Sequence, residues 1–202
     1  MDAPPLTTAP VLGEPMPVEL MNTVWADRDG VHDALAAPGD ARGWLTALHE
    51  RLPRGADLAA WARDAADVEV AEVWSALRAL RDATRALAAR RTADPRTAGA
   101  SGMSSQDALD QLNALAKAAP EWPVLEWPDG AAPTVTSQAA QNAGQIVVSW
   151  LAREAIDLIG GSRGEELRAC LAPGCVLYFV RHHPRREWCS DNCGNRARQA
   201  RH

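Results

Sequence analysis

The sequence is poor in several residue types, and each shortage excludes a class of protein. Its 202 residues include four cysteines, one lysine, one tyrosine and one phenylalanine. No apolar run approaches the roughly eighteen residues needed to cross a bilayer, so we expect no membrane association. Residues 1–20 have neither the basic start nor the apolar stretch of a secretion signal, which predicts a cytoplasmic protein.

Enzyme motifs are also missing. The chain has no glycine-rich phosphate loop, no nucleophile elbow and no Ser/His/Asp or Cys/His arrangement in an expected order. We therefore expect no catalytic residues and no enzymatic activity.

Tryptophan supplies most of the aromatic bulk. Dispersed tryptophans more often fill cores and interfaces than line a ligand site. The eight are Trp25, Trp44, Trp61, Trp74, Trp122, Trp127, Trp150 and Trp188.

Charge is divided between the two ends of the chain. Residues 167–202 contain seven arginines but only two acidic residues, Glu187 and Asp191. Because the whole chain has a formal net charge of −5, residues 1–166 are strongly acidic. A basic tail on an acidic body suggests that the tail alone meets a polyanion such as DNA.

All four cysteines lie in the last 33 residues, as two close pairs. Cys170 and Cys175 form C-x4-C, Cys189 and Cys193 form C-x3-C, and thirteen residues separate the pairs. Two such clips joined by a turn are typical of one tetrahedral Zn²⁺ site. Four protein ligands leave no place for a reacting water, so this zinc is expected to be structural.

Other interpretations of the cysteines remain open from spacing alone. Two disulfides would need an oxidising compartment, and four unrelated free thiols are a further alternative. A ligand set in which His182 or His183 replaces one cysteine is also open. If the zinc interpretation holds, Cys189→Ala should unfold the finger and leave the helical body intact.

The residues around the cysteines resemble a known family. Cys170-Leu-Ala-Pro-Gly-Cys175 and Trp188-Cys189-Ser-Asp-Asn-Cys193-Gly194-Asn195-Arg196 closely resemble the CGNR zinc finger. That finger ends bacterial proteins whose larger part is the ABATE domain, a family described as candidate stress-induced transcription regulators. The resemblance spans about residues 17–202, and it implies one Zn²⁺ and a DNA partner. It departs from the family at Arg181-His182-His183-Pro184, where an Asp and a Ser are usual.

The pattern predicts a mainly α fold with a short β-hairpin, arranged as a mobile lead-in, a helical domain and a treble-clef-like finger. The boundaries are 1–16, 17–162 and 167–202. Helices are expected from an Asp40 cap, from Asp67 to about Arg91, from a Ser105 cap to Pro120, and over 138–159. Pro-Asp-Gly at 128–130 indicates the turn of a hairpin within 122–136.

The candidate nucleic-acid contacts all lie in the finger. Because Arg196 follows Cys193 by three residues, a structural role is as plausible for it as a DNA contact. The proposed contacts are Arg185, Arg186, Arg196, Arg198 and Arg201.

Two hypotheses lead on what the protein does, and a hydrolase or other enzyme that uses a cleft of the body is a third. The finger is either a DNA-binding module of a transcription regulator or a protein-interaction scaffold that binds no nucleic acid. The helical domain is expected to form a homodimer through helix 138–159, or to hold an unidentified small molecule in a tryptophan-lined cleft with Asn22 at its edge.

Overall fold

Helices build most of the chain, and each strand pairs within a two-stranded antiparallel hairpin. A computed structural model describes residues 8–96 and 99–200. In these ranges the helices are α1 (Met16–Met21), α2 (Pro38–Leu48), α3 (Gly55–Asp64), α4 (Asp67–Thr92), α5 (Ser105–Ala116), α6 (Ala143–Gly160) and α7 (Asp191–Gln199). The strands are β1 (Val24–Asp27), β2 (Gly30–Asp33), β3 (Glu121–Glu126), β4 (Thr134–Ala139), β5 (Leu167–Ala169) and β6 (Tyr178–Val180).

Helix α4 is the central element of the body. It packs against α1, α2, α5 and α6 and buries Val73, Leu77 and Leu80 in the main core. The prediction of a long amphipathic helix from Asp67 is confirmed, because its apolar residues recur every three or four positions. None of the described helices has the length and apolar character that a bilayer span requires.

Helix α6 is the second core helix, but it begins later than predicted. Ser137 and the two residues after it belong to β4, whose register pairs Ala139 with Glu121. The helix starts after Asn142, whose side chain accepts a hydrogen bond from the Gln145 amide at 3.0 Å. The run of β-branched residues before Ser137 extends the strand, and the Asn cap then sets the start of the helix.

Two other predicted caps are displaced. The helix that contains Asp40 begins at Pro38, so Asp40 is its third residue. The Asp40 carboxylate accepts a hydrogen bond from the Ala37 amide at 2.7 Å. Ser104, not Ser105, caps α5 by accepting from the Asp107 amide at 3.1 Å. In each case the helix includes a residue that the pattern predicts to lie before it.

Three elements were not predicted: α1, α3 and the β1–β2 hairpin. The turn of that hairpin is Asp27-Arg28-Asp29-Gly30, in which the Asp27 carboxylate accepts from the Asp29 amide at 2.8 Å. Helix α3 follows Arg54, which has a left-handed backbone. Their apolar patterns are too short to give a clear period.

The lead-in differs from the prediction where the structure describes it. Residues 1–7 lie outside the described residues, but Glu14 is buried against the finger and Met16 already begins α1. The expected mobile segment therefore does not extend to residue 16. A small apolar cluster beside it joins Val18 and Met21 of α1 to Tyr178 and Val180 of β6.

The predicted tryptophan-lined cleft matches none of five cavities in the described part of the chain. Trp44 is buried in the core, Trp61 and Trp74 pack partly against it, and each of these five cavities has at most one tryptophan in its lining. Asn22 is fully buried and lines none of these cavities. A small-molecule ligand of the body stays a prediction.

Gly144→Ala is expected to destabilise the fold. A Cβ at Gly144 would lie 2.7 Å from the Trp61 ring and 2.9 Å from Val73, because α6 approaches α3 and α4 closely there. Overpacking of this kind costs about 1–3 kcal/mol. Urea unfolding should show this loss for Gly144→Ala.

Gly160→Ala is the matched control, since a Cβ placed there, at the other end of the same helix, would have nothing within 4 Å. Equal stability of the two variants would contradict the close approach of α6 to Trp61.

Candidate metal centre

The four cysteines converge from three parts of the finger. Cys170 follows β5, Cys175 precedes β6, and Cys189 and Cys193 flank the start of α7. Their Sγ atoms all lie within 4.8 Å of one another, and no disulfide joins them. The Sγ atoms of Cys175 and Cys189 are 3.8 Å apart, and those of Cys189 and Cys193 are 3.4 Å apart. A tetrahedron with Zn–S bonds of about 2.3 Å has sulfur–sulfur edges of about 3.8 Å, so the thiols fit Zn²⁺.

Short backbone contacts hold the ligands in place. The Cys170 amide donates to Leu177 O and the Cys175 amide to Ala172 O, both at 2.9 Å. Ser190 caps α7 by accepting a hydrogen bond from the Cys193 amide at 3.4 Å. These hydrogen bonds fix the local backbone of each cysteine pair in the folded finger.

The pKa shifts at this centre are mixed, because hydrogen bonding among the four thiols lowers the pKa of Cys170 and Cys193 and raises that of Cys175 and Cys189. Hydrogen bonds from the thiols of Cys175 and Cys189 lower the pKa of Cys170 to about 7. Hydrogen bonding with the other three thiols places the pKa of Cys193 far below its usual range, where a 3.0 Å hydrogen bond from Arg196 contributes. The thiolate is the form that binds zinc, and the cation of Arg196 offsets part of its charge.

The apolar core of the finger is small. Phe179 and Leu177 are buried beside the cysteines, with Trp188 packed against them. A Cβ at Gly194 would lie 3.1 Å from the Trp188 ring, so the glycine lets α7 approach that ring. So small a core depends on metal for its folding.

Asn22 joins the body to the finger. Its side chain donates to Tyr178 O at 3.0 Å and accepts from the Tyr178 amide at 2.9 Å. The two bonds satisfy both backbone groups of a β6 residue from a different part of the chain. Asn22 is thus a structural residue and not the edge of a cleft, which corrects the prediction made for it.

Arg96 binds the backbone of residues 170–177, which we call the zinc loop. One guanidinium nitrogen donates to the carbonyls of Cys170, Cys175 and Leu177 at 2.9, 3.1 and 3.2 Å. The other pairs with Asp94 at 2.6 Å, and the Tyr178 hydroxyl donates to the same carboxylate at 2.7 Å. Burial alone would raise the pKa of Asp94, but these hydrogen bonds outweigh it and hold that pKa below its usual value.

Arg85 makes a second buried contact of this kind. It donates to the carbonyls of Met21 at 2.7 Å, Gly99 at 3.0 Å and Val176 at 3.1 Å. Burial lowers the pKa of Arg85 to about 10, so it remains charged at neutral pH. A buried cation satisfied by carbonyls holds α4 against both α1 and the finger.

Glu14 also connects the body to the finger. It pairs with Arg186, one of the predicted DNA contacts. Its carboxylate accepts from the Val180 amide at 2.9 Å and from Arg186 at 2.6 Å. Arg186 also donates to Val180 O and Cys189 O and lies over the Phe179 ring. Arg186 therefore holds the finger together and has few donors left for a phosphate. We call Glu14, Asn22, Arg85, Asp94 and Arg96 the docking network.

Two of the other predicted DNA contacts lie on the surface of the finger. Arg185 and Arg198 are exposed and line a groove of about 680 Å³ with the apolar residues Val11, Leu12 and Trp188 and the acidic residues Glu187 and Asp191.

Arg196 bonds a ligand thiolate, and Arg201 lies outside the described residues. His182 and His183 are exposed and do not belong to the cysteine cluster, so neither replaces a ligand.

The knuckle between Cys170 and Cys175, the β5–β6 hairpin and the helix that carries Cys193 define a four-cysteine, treble-clef-like finger with one structural Zn²⁺. The sequence model of the CGNR zinc finger matches residues 166–202. The model of the ABATE family, described as "Putative stress-induced transcription regulator", matches residues 14–162. The chain therefore belongs to the ABATE family and ends in a CGNR zinc finger. A comparison with curated proteins finds no match.

Sequence reasoning missed the docking network apart from Asn22, whose role it misjudged. One sign was available in α4, where Arg81 and Arg85 stand one turn apart among buried leucines and alanines. An arginine on the apolar face of a helix needs a buried partner. Which partner it finds depends on tertiary packing.

Removing zinc should destabilise the body as well as the finger. Without metal the knuckle loses its geometry, and Arg85, Arg96 and Asn22 lose their buried acceptors. This replaces the expectation that Cys189→Ala leaves the body intact. We expect chelation or Cys189→Ala to lower the main thermal transition followed by helical circular dichroism. An unchanged transition would show that the body is independent of the finger.

Asn22→Ala should weaken both folding and zinc retention. It leaves the amide and carbonyl of Tyr178 buried without partners, at a cost of about 2–4 kcal/mol. Urea unfolding and the rate of zinc transfer to a colorimetric chelator measure the two effects. The control is Asn113→Ala on the exposed side of α5, and a response equal to that of the control would contradict the role of Asn22.

Proposed function

We propose that this protein is a transcription regulator whose zinc finger binds duplex DNA through Arg185 and Arg198. The observation that carries the proposal is the groove beside the start of α7, where both arginines are exposed. Exposed arginines suit the phosphate backbone, and Arg185 precedes α7 while Arg198 lies in its last turn. The family's description as a regulator supports the same function.

The charges limit how the protein meets DNA. The body is acidic and the finger basic, so the finger approaches the duplex and the body faces away from it. With Arg186 and Arg196 engaged inside the finger, fewer side chains remain for phosphate than the sequence suggests. We therefore propose modest affinity per finger, in a cytoplasmic protein.

The body holds the finger in a fixed orientation in this proposal. The docking network contacts the zinc loop, β6 and α1 together. Binding at the finger therefore meets a preorganised surface and not a freely tethered module, which lowers the ordering cost of binding.

The alternative is a finger that binds a protein and no nucleic acid. The apolar part of the same groove favours it, because Val11, Leu12 and Trp188 offer surface that phosphate does not need. Under this hypothesis Arg185 and Arg198 form the rim around an apolar contact.

Neutralising both exposed arginines is expected to weaken DNA binding on every sequence. In Arg185→Ala/Arg198→Ala, the slope of log affinity against log salt should fall by about one unit for each lost phosphate contact. Fluorescence anisotropy with random duplexes between about 50 and 200 mM salt measures this.

Arg28→Ala is the matched control, because that arginine is highly exposed on the acidic body. Equal losses in the variant and the control, or no duplex binding by wild-type protein at about 50 mM salt, would favour the interaction module instead.

A further inference from the structure

Four of the exposed large apolar side chains lie in the β3–β4 hairpin and its turn. Trp122, Leu125, Trp127 and Val135 are 43%, 64%, 70% and 71% exposed. Within the described residues no third strand joins this hairpin, so both of its edges are open. A two-stranded hairpin in water is at best marginally stable by itself. It therefore gains from an additional strand.

The two edges are protected very differently. Strand β3 carries Glu121 and Glu126 at its ends and Pro123 within it, and charges and proline are the usual means of blocking an edge. Strand β4, Thr-Val-Thr-Ser-Gln-Ala, has no charged residue and no proline. Its first three residues are β-branched, which favours strand pairing. Pairing is therefore expected at β4 and not at β3.

The register indicates which groups of β4 are free. Pro123 lies opposite Ser137, and a proline suits a position whose backbone nitrogen points away from the partner strand. Pro123 and Ser137 are then a pair without hydrogen bonds between them, and the backbone groups of both residues point to the outer edges of the hairpin. Ser137 therefore presents its amide and carbonyl outward. Backbone groups alternate along a strand, so those of Val135 and Ala139 also point outward.

We propose that β4 pairs with β4 of a second copy of this chain, in an antiparallel four-stranded sheet. The two-fold axis lies at Ser137, which faces Ser137 of the partner subunit. Val135 then faces Ala139 of the partner subunit, and the outward backbone groups bond across the axis. Such a contact is isologous, so it closes at two copies.

Charge favours a second copy over another occupant. The three acidic residues of the hairpin, Glu121, Glu126 and Asp129, all lie on β3 or in the turn. Pairing β4 with itself places no charge opposite another, whereas pairing β3 with itself would place Glu121 beside Glu126 of the partner subunit. A charged peptide strand finds no counter-charge on β4.

This surface replaces the interface predicted on helix 138–159. The apolar residues of α6, among them Val147, Leu151 and Ala155, are already buried in the core of one chain. Six paired residues bury less than the roughly 800 Å² per partner of a stable interface. The dimer is therefore weak and depends on concentration, and it does not depend on DNA binding.

Ser137→Pro tests the pairing. It removes an outward amide and leaves the backbone hydrogen bonds of the hairpin in place. The hydrogen bond from the Ser137 hydroxyl to Glu121 is lost in the control Ser137→Ala as well. We expect sedimentation velocity from about 1 μM to 1 mM to show dimers of the wild type and of the control, Ser137→Ala, but not of Ser137→Pro. Circular dichroism and zinc content should be the same for all three proteins.

Hydrogen exchange on the wild type gives a second measurement. The amides of Val135, Ser137 and Ala139 should become more protected as concentration rises, while those of β3 do not change. A wild type that stays monomeric over the whole range, a Ser137→Pro variant that still dimerises, or concentration-dependent protection elsewhere would overturn the proposal. A wild type that dimerises but binds no duplex DNA would count against the proposed function and not against the dimer.

Discussion

The rest of the structure depends on the buried hydrogen bonds between the body and the zinc loop. Arg96 donates to the carbonyls of two cysteine residues, and Asn22 satisfies the backbone of Tyr178. Asn22 is fully buried and the Arg96 side chain is 13% exposed, and an unpaired donor or acceptor removed from water costs more than a paired one contributes. Separation of the finger from the body would therefore break these hydrogen bonds and leave their donors and acceptors without partners. The finger and the body consequently fold as interdependent parts.

This dependence explains how so small a finger is held in position. Its apolar core contains little beyond Leu177, Phe179 and the cysteines, and Zn²⁺ supplies the remaining constraint. The metal fixes the knuckle, and the knuckle in turn presents the carbonyls that Arg96 and Arg85 need. Zinc is therefore expected to stabilise the body as well as the finger. The buried cations are stable only because this set of acceptors is complete.

Charge in the finger serves two purposes. Arg186 and Arg196 neutralise the Glu14 carboxylate and the Cys193 thiolate, and they stabilise the fold. Arg185 and Arg198 remain exposed beside a partly apolar groove, and the proposed DNA contact rests on these two. The β4 edge lies on a different part of the body and concerns a second copy. The two proposals therefore fail or succeed separately.

The sequence by itself determined the zinc ligands, the two long core helices and the family. Cysteine spacing, helical periodicity and the residues around Cys193 are local patterns, and local geometry is enough to interpret them. Only the tertiary structure decided the roles of Glu14, Asn22 and Arg96, whose partners lie between about 74 and 172 residues away along the chain. It also showed that Arg186 forms hydrogen bonds with Glu14 and with finger carbonyls, and that β4 has an open edge. A hydrogen bond between distant residues leaves no period in the sequence, because its geometry exists only once the core has packed.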